Sequence, residues 1–316
     1  MHKTRFWHIA RQTLQRVLYL IPILLVASFG IFMLLRLSVG DPIAQYLTLS
    51  NLPTTQENIA FLEAEFGLDT PLISQYIAWL YKAITLDFGT SFMSGEPVSA
   101  VFFSRLPITL TLVGIGVVLI GIFASIFGSI SALYKERFPD IVISIVCFIG
   151  ACMPSFWLAF LLVWVFALML GWLPAVWDST LSSFVLPSIS LVFMSLCVTT
   201  RLLRTSMLEV LDSRFVLYAK IRQLPRAVIT YKHIFKNAIL PLLAIMGLHI
   251  GELLGGALII ESIFGIPGIG LYCIQGIANH DYPIIQCFVI VLCVVFTLAN
   301  VLVDVLCAYL DPRISL

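Results

Sequence analysis

Six apolar runs, at roughly 17–37, 107–134, 141–170, 185–203, 238–263 and 283–308, dominate this chain and constrain what it can fold into. Each is close to or above the ~20 residues an α-helix needs to cross the hydrocarbon core of a bilayer. Backbone N–H and C=O groups find no water there, so a spanning segment must satisfy them internally, as a helix does. With 60% hydrophobic and only 11% charged residues, the 316-residue chain could not clothe a water-soluble domain of that size. The expectation is an all-α membrane protein with six transmembrane helices. The first run follows "MHKTRFWHIARQTLQR". It is longer than a signal-peptide core and no small-x-small cleavage site follows it, so it reads as a retained anchor. A net charge of +1 offers no pull toward nucleic acid. The seven cysteines form no C-x-x-C pair and most lie inside apolar runs, which argues against a disulfide framework or a zinc site.

Lysine and arginine placement sets the orientation. Lys3, Arg5, Arg11 and Arg16 precede the first run, Lys135 and Arg137 follow the second, and Arg313 lies in the tail. The segment 201–236 carries eight more, whereas 38–104 carries only Lys82 against seven acids, and 171–184 and 264–282 carry none. Both ends are therefore expected in the cytoplasm. The chain divides into a cytoplasmic N-terminus (1–16), a first transmembrane helix (17–37), an extracytoplasmic helical segment (38–104) and a five-helix core (105–316). A cytoplasmic loop at 204–237 interrupts that core.

Within the external segment, "PLISQYIAWLYKAITL" places Leu72, Tyr76, Trp79 and Ala83 on one helical face. This predicts a small helical cap. In the loop, Leu217, Ile221 and Leu224 at i, i+4 and i+7 make an apolar stripe on a short helix, with Lys220 and Arg222 off it. Pro225 then suits the first turn of a second helix. Such a basic, amphipathic stretch either adsorbs to anionic headgroups or docks its stripe into a partner's groove. Periodicity alone fits both.

The residues of that loop, "YAKIRQL" (218–224) and "HIFKNAILP" (233–241), resemble the segment through which ABC-importer permeases engage their ATPases. The family normally has glycine where this chain has Gln223. Further stretches are similar to the dipeptide/oligopeptide/nickel subfamily and to its first permease subunit: 66–92, "MPSFWLAFLL" (153–162), "ESIFGIPGIG" (261–270), "HDYPIIQ" (280–286) and "LDPRI" (310–314). "LSNLPTT" (49–55), "FMSL" (193–196) and "HIGELLGG" (249–256) look closer to the nickel permease. The resemblance implies a type I importer fold in the bacterial inner membrane. Its implied partners are a homologous second permease, two cytoplasmic ATPases that bind ATP and Mg²⁺, and an extracytoplasmic binding protein. It assigns ATPase coupling to Leu217, Tyr218, Ala219, Lys220, Ile221, Arg222, Gln223 and Leu224, and contact with a docked binding protein to His280 and Asp281. The chain itself has no G-x-x-x-x-G-K-[ST] phosphate loop and no cofactor motif.

Ionisable groups inside a span usually face the bundle interior or a water-filled path. The fifth run, "GLHIGELLGGALIIES", supplies His249, Glu252 and Glu261. At about 100° per residue, Gly247, Gly251 and Gly255 form one close-packing ridge, and His249 and Glu252 share another flank. Imidazole plus carboxylate suits transient contact with a borderline divalent cation such as nickel. It equally suits a peptide amine, or a mutually satisfied structural pair. Pro154, in the third run, is a candidate kink in a pathway-lining helix. Cys287 and Cys293 read as inert small hydrophobes and Asn300 and Asp304 as packing residues. The leading expectation is import of nickel or a small nickel chelate, with dipeptide or oligopeptide import as the alternative. An intramembrane lipid-modifying enzyme would need polar groups from several spans converging at one depth, and the sequence offers only His249 and Glu252.

Overall fold

A computed structural model describes residues 2–37, 43, 46–47, 53–65 and 70–310. Eleven of its helices are labelled here: α1 (His2–Leu37), α2 (Gln56–Glu65), α3 (Leu72–Ile84), α4 (Val98–Leu133), α5 (Phe138–Ala151), α6 (Ser155–Leu162), α7 (Val185–Leu211), α8 (Arg214–Ile221), α9 (Leu240–Phe264), α10 (Ile269–Ala278) and α11 (Tyr282–Leu310). Among the described residues the one extended pairing is an isolated bridge between Thr90 and Pro97. The chain forms two compact units.

One unit comprises Gln15–Thr109 and Ile266–Thr297. Here α3 lies on α1 through aromatic side chains. Tyr76 meets Phe29 and Phe32 edge-on with ring centres 5.2 and 5.5 Å apart, and Trp79 lies 6.2 Å from Phe32. The Tyr76 hydroxyl is 2.9 Å from the buried Ser28 hydroxyl. The predicted face thus holds for Tyr76 and Trp79, while Leu72 stays exposed. α10 starts where Thr109 Oγ1 accepts the Ile269 N–H at 3.0 Å, which satisfies one orphan donor of its first turn. Gly276 lets Ile284 approach α10 closely, since a Cβ there would come within 2.9 Å of the Ile284 side chain.

The other unit comprises Met1–Leu14, Leu110–Gly265 and Leu298–Leu316. α7 is its hub and packs against α5, α6 and α9. Small residues permit that closeness. Gly128 of α4 abuts Leu203, Gly116 abuts Val192 and Leu253, and Gly150 abuts Cys197 and Phe193. The hydroxyls buried along α7 return to their own helix: Ser190 donates to Leu186 O at 2.9 Å, Thr199 to Ser195 O at 2.7 Å and Thr200 to Leu196 O at 2.7 Å. The glycine ridge expected on α9 is only partly realised. Gly247 faces Asn300, but nothing lies near Gly255, and the close approach falls instead at Gly256 against Leu191.

The kink expected at Pro154 in the third run, 141–170, is found as a full break between two helices. α5 and α6, continued by a π-helical turn over Val163–Met169, meet at a bend of 108°. Pro154 caps α6 at the break; it lacks an N–H and biases Met153 away from helix. Among the described residues, four helices are long and apolar enough to cross a bilayer alone: Val98–Leu133, Leu181–Leu211, Leu240–Phe264 and Tyr282–Val305. The bent pair could make a fifth, and Ile21–Leu37 of α1 is apolar but shorter.

An ion pair pins the start of α5. Arg204 donates to Asp140 from Nε at 2.7 Å and from a terminal nitrogen at 2.8 Å. Ser131 and the Glu136 N–H donate to the same carboxylate, which is only 3% exposed. Arg204→Gln should leave this buried charge short of its counter-ion and lower unfolding stability by about 3 kcal/mol. Denaturant titration of the detergent-solubilised complex checks this, and Arg204→Lys should recover only part of the loss because it cannot grip both oxygens.

Candidate functional site

α9 and α7 build one polar group inside the second unit. His249 is 4% exposed, and its Nδ1 lies 2.9 Å from Glu252 Oε2 on the next turn of α9. Its Nε2 lies 2.7 Å from the hydroxyl of Thr199, on α7. That hydroxyl also reaches Ser195 O, and it has one proton to give. Nε2 therefore accepts from Thr199 on a neutral ring or donates to it on an imidazolium. Both ring nitrogens are engaged within the protein, so a metal ion at His249 would have to displace one of these bonds. Among the described residues no group of three or more His, Cys, Asp and Glu side chains could hold a metal.

Glu252 differs from its neighbour in being 46% exposed at the side chain. One carboxylate oxygen is held by His249, while the group still presents negative charge at the surface of an apolar helix. Such a carboxylate can accept from an ammonium or amide donor. Glu261, further along α9, is fully buried, and its carbonyl accepts the N–H of Gly265, whose φ of 65° ends the helix. Pro154 stands at the 108° break, as a kink-forming residue would. Thr199 and Ser195 were not legible as partners, because they lie about fifty positions upstream on another helix and nothing in the local pattern marks them.

The basic loop folds as two pieces. α8 buries Val216 and Ala219 and leaves Phe215, Leu217, Tyr218 and Ile221 exposed. Of the expected stripe, Leu217 and Ile221 are exposed on α8, with Lys220 and Arg222 exposed beside them, whereas Leu224 lies beyond the end of the helix and is part-exposed. Gln223 has φ 53°, its N–H donates to Lys220 O at 2.9 Å, and the Leu224 N–H donates to Ala219 O at 3.3 Å. These two bonds define a Schellman cap, whose penultimate position favours glycine because an L side chain crowds the left-handed backbone. Pro225 then caps the next helical segment, which runs from Arg226–Val228 into a π-helical turn over Ile229–Phe235.

α10 ends the same way in the first unit. His280, φ 50°, is the left-handed residue; its N–H donates to Ile277 O and the Asp281 N–H to Gly276 O. His280 is part-exposed, but Asp281 is fully buried and so does not itself present a surface for docking. Its Oδ2 accepts the Ser91 hydroxyl at 2.6 Å and the Met93 N–H at 3.0 Å, which ties the 91–94 turn to the end of α10. Burial pushes the Asp281 carboxyl above the usual carboxylate range, against the downward pull of the Ser91 and Met93 donors.

Comparison with known proteins now decides the class. Residues 124–316 match the family described as the inner membrane component of binding-protein-dependent transport systems, and residues 9–113 match the N-terminal family of such membrane components. The chain belongs to this permease family. It is 34% identical to the dipeptide transport system permease protein of Alkalihalophilus pseudofirmus, over 96% of this chain and 98% of that one. It is 33% identical to the glutathione transport system permease protein of Escherichia coli, over 95% and 97%. Among solved structures it is similar to an amino acid ABC transporter, with a TM-score of 0.50 at 17% identity, covering 68% of this chain and 95% of that one; this supports the fold. The protein is a permease subunit of an ABC importer and a multi-pass inner-membrane protein. ATP hydrolysis belongs to partner subunits, and the reading as an intramembrane enzyme is set aside.

Two outcomes follow from the caps. Gln223→Gly in the permease should stabilise the end of α8 by about 1 kcal/mol, seen as roughly fivefold slower hydrogen exchange at Leu224. A raised carboxyl stabilises the fold below the ordinary Asp value of about 3.9 and loses that contribution as pH rises through the raised value. Wild type should therefore lose thermal stability relative to Asp281→Asn between pH 4 and pH 7, as measured by paired melting curves.

Proposed function

We propose that the permease carries short peptides across the inner membrane. The observation that carries this reading is the 34% identity over nearly the whole chain to a protein named as a dipeptide permease. The half-exposed Glu252 carboxylate, held in place by His249 and Thr199, supports it chemically. It would accept the charged α-amino group of a peptide, which is the cation such a cargo always brings. Nickel, or a nickel chelate, is the second reading. It draws on the same imidazole–carboxylate pair, but needs His249 to give up Thr199 or Glu252 and needs further donors from elsewhere.

In this reading the permease has six transmembrane helices, formed by the apolar part of α1, α4, the bent α5–α6 pair, α7, α9 and α11. Fifteen cationic residues at the termini, the α4–α5 turn and the loop at 201–236 support cytoplasmic ends. The exposed stripe of α8 grips an ATPase, with Leu217, Tyr218 and Ile221 as its apolar contacts. A second permease, two ATPases and a binding protein complete the importer, and His280 contributes to the face that meets the binding protein.

Uptake by a strain lacking its own peptide and nickel importers, complemented with the full set of subunits, tests this. Labelled dialanine should accumulate in an ATP-dependent manner, and radioactive nickel should not. Glu252→Gln should lower peptide uptake about tenfold, equivalent to one charge-assisted hydrogen bond. Nickel accumulation that peptides fail to compete would overturn the peptide reading.

A further inference from the structure

The unit that contains α1, α3 and α10 has a half-open cavity of about 430 Å³ that no role assigned so far uses. Arg36 of α1, Gln75, Trp79 and Lys82 of α3, and Gln286 of α11 contribute to its walls. The guanidinium of Arg36 lies 5.2 Å from the ring centres of both Phe32 and Tyr282. Two aromatic faces therefore fix its orientation through cation–π contact. No acidic side chain pairs with it among the described residues. The acid in the walls, Asp87, is exposed, and its Oδ1 accepts the Gly89 N–H of its own turn at 3.0 Å.

A part-buried guanidinium with no counter-charge among the described residues is a costly arrangement unless something else supplies one. Its planar fork is shaped for a carboxylate or phosphate taken in two parallel hydrogen bonds. Lys82 adds positive charge at the same cavity, and Gln75 and Gln286, 8% and 3% exposed, line it with carboxamides. Trp79 and Phe92 supply apolar wall, and the volume falls within the ~300–1,000 Å³ typical of small-molecule sites. The cavity lies on the face of α1 that carries Phe32. Leu34, 63% exposed, points the opposite way on that helix. A water-soluble anion fits this placement better than a phospholipid headgroup tethered to its acyl chains.

We infer that this cavity binds the C-terminal carboxylate of a short peptide, with Arg36 as the two-pronged clamp and Lys82 as a supporting cation. The inference rests on the peptide-import reading and adds a second recognition point, selective for the opposite end of the cargo from Glu252. The complete membrane complex of both permeases and ATPases, in phosphatidylcholine nanodiscs without the soluble binding protein, provides the test. Saturation-transfer NMR would compare dialanine with its C-terminal amide at millimolar concentration. Dialanine should give a signal that acetate displaces. That signal should fall about tenfold for the amide and in Arg36→Gln, and return only in part in Arg36→Lys, which keeps the charge but cannot grip both oxygens. Equal signals for acid and amide, or for wild type and Arg36→Gln, would overturn the inference. Displacement by short-chain phosphatidylglycerol but not by acetate would also overturn it, in favour of a lipid site. ATP-driven dialanine transport, measured on the same preparation with the binding protein added, separates the two failures. Intact transport beside a failed binding result sinks only the cavity, and absent transport in wild type sinks the peptide reading on which it rests.

Discussion

Much of this permease is arranged around one rule: a polar group taken into lipid does best to bring its own partner. The backbone obeys by being helical almost throughout, and departures from the helix are repaired locally. The break before Pro154 falls where proline has no N–H to lose, and the last turns of α5 close with Cys152 N–H donating to Ile149 O and Met153 N–H to Gly150 O. Hydroxyls on α7 fold back onto carbonyls one turn earlier. Three helices, α3, α8 and α10, end in Schellman caps that carry Leu86, Gln223 and His280 in the left-handed region. The caps keep carbonyls satisfied at some backbone strain.

Charges follow the same rule and thereby become informative. Asp140 is buried and fully engaged by Arg204, Ser131 and a backbone N–H, so it acts as a fastening between α5 and α7. His249 is engaged at both ring nitrogens. Glu252 and Arg36 are the departures: one is a carboxylate only half used by its neighbour, the other a guanidinium held by aromatic rings and matched by no acid among the described residues. On charged groups, such incomplete pairing is what the proposed recognition of the two ends of a peptide rests on.

Much of this was legible beforehand, for identifiable reasons. Apolar runs of span length are a one-dimensional signal. The α3 face of Tyr76 and Trp79 followed from helical spacing. Gln223 was visible as a departure from the family's glycine, and the Schellman geometry explains why glycine is favoured there. The glycine ridge on α9 was read with less success. Spacing identifies residues that share a face, but which neighbour approaches is set by the packing of other helices, and the contact moved from Gly255 to Gly256.

The sequence by itself determined the class: a mostly helical membrane chain with a basic amphipathic segment between apolar runs. Those properties are local sums over composition and spacing, and lipid reads them residue by residue. Tertiary structure alone decided how far the third run bends at Pro154, by 108°, that Thr199 completes the His249 pair, that Asp281 is buried under the 91–94 turn, and that Arg36 faces a cavity. Each depends on which distant side chain arrives within hydrogen-bonding or packing range. That distance is fixed when helices pack against one another, long after local pattern has had its say.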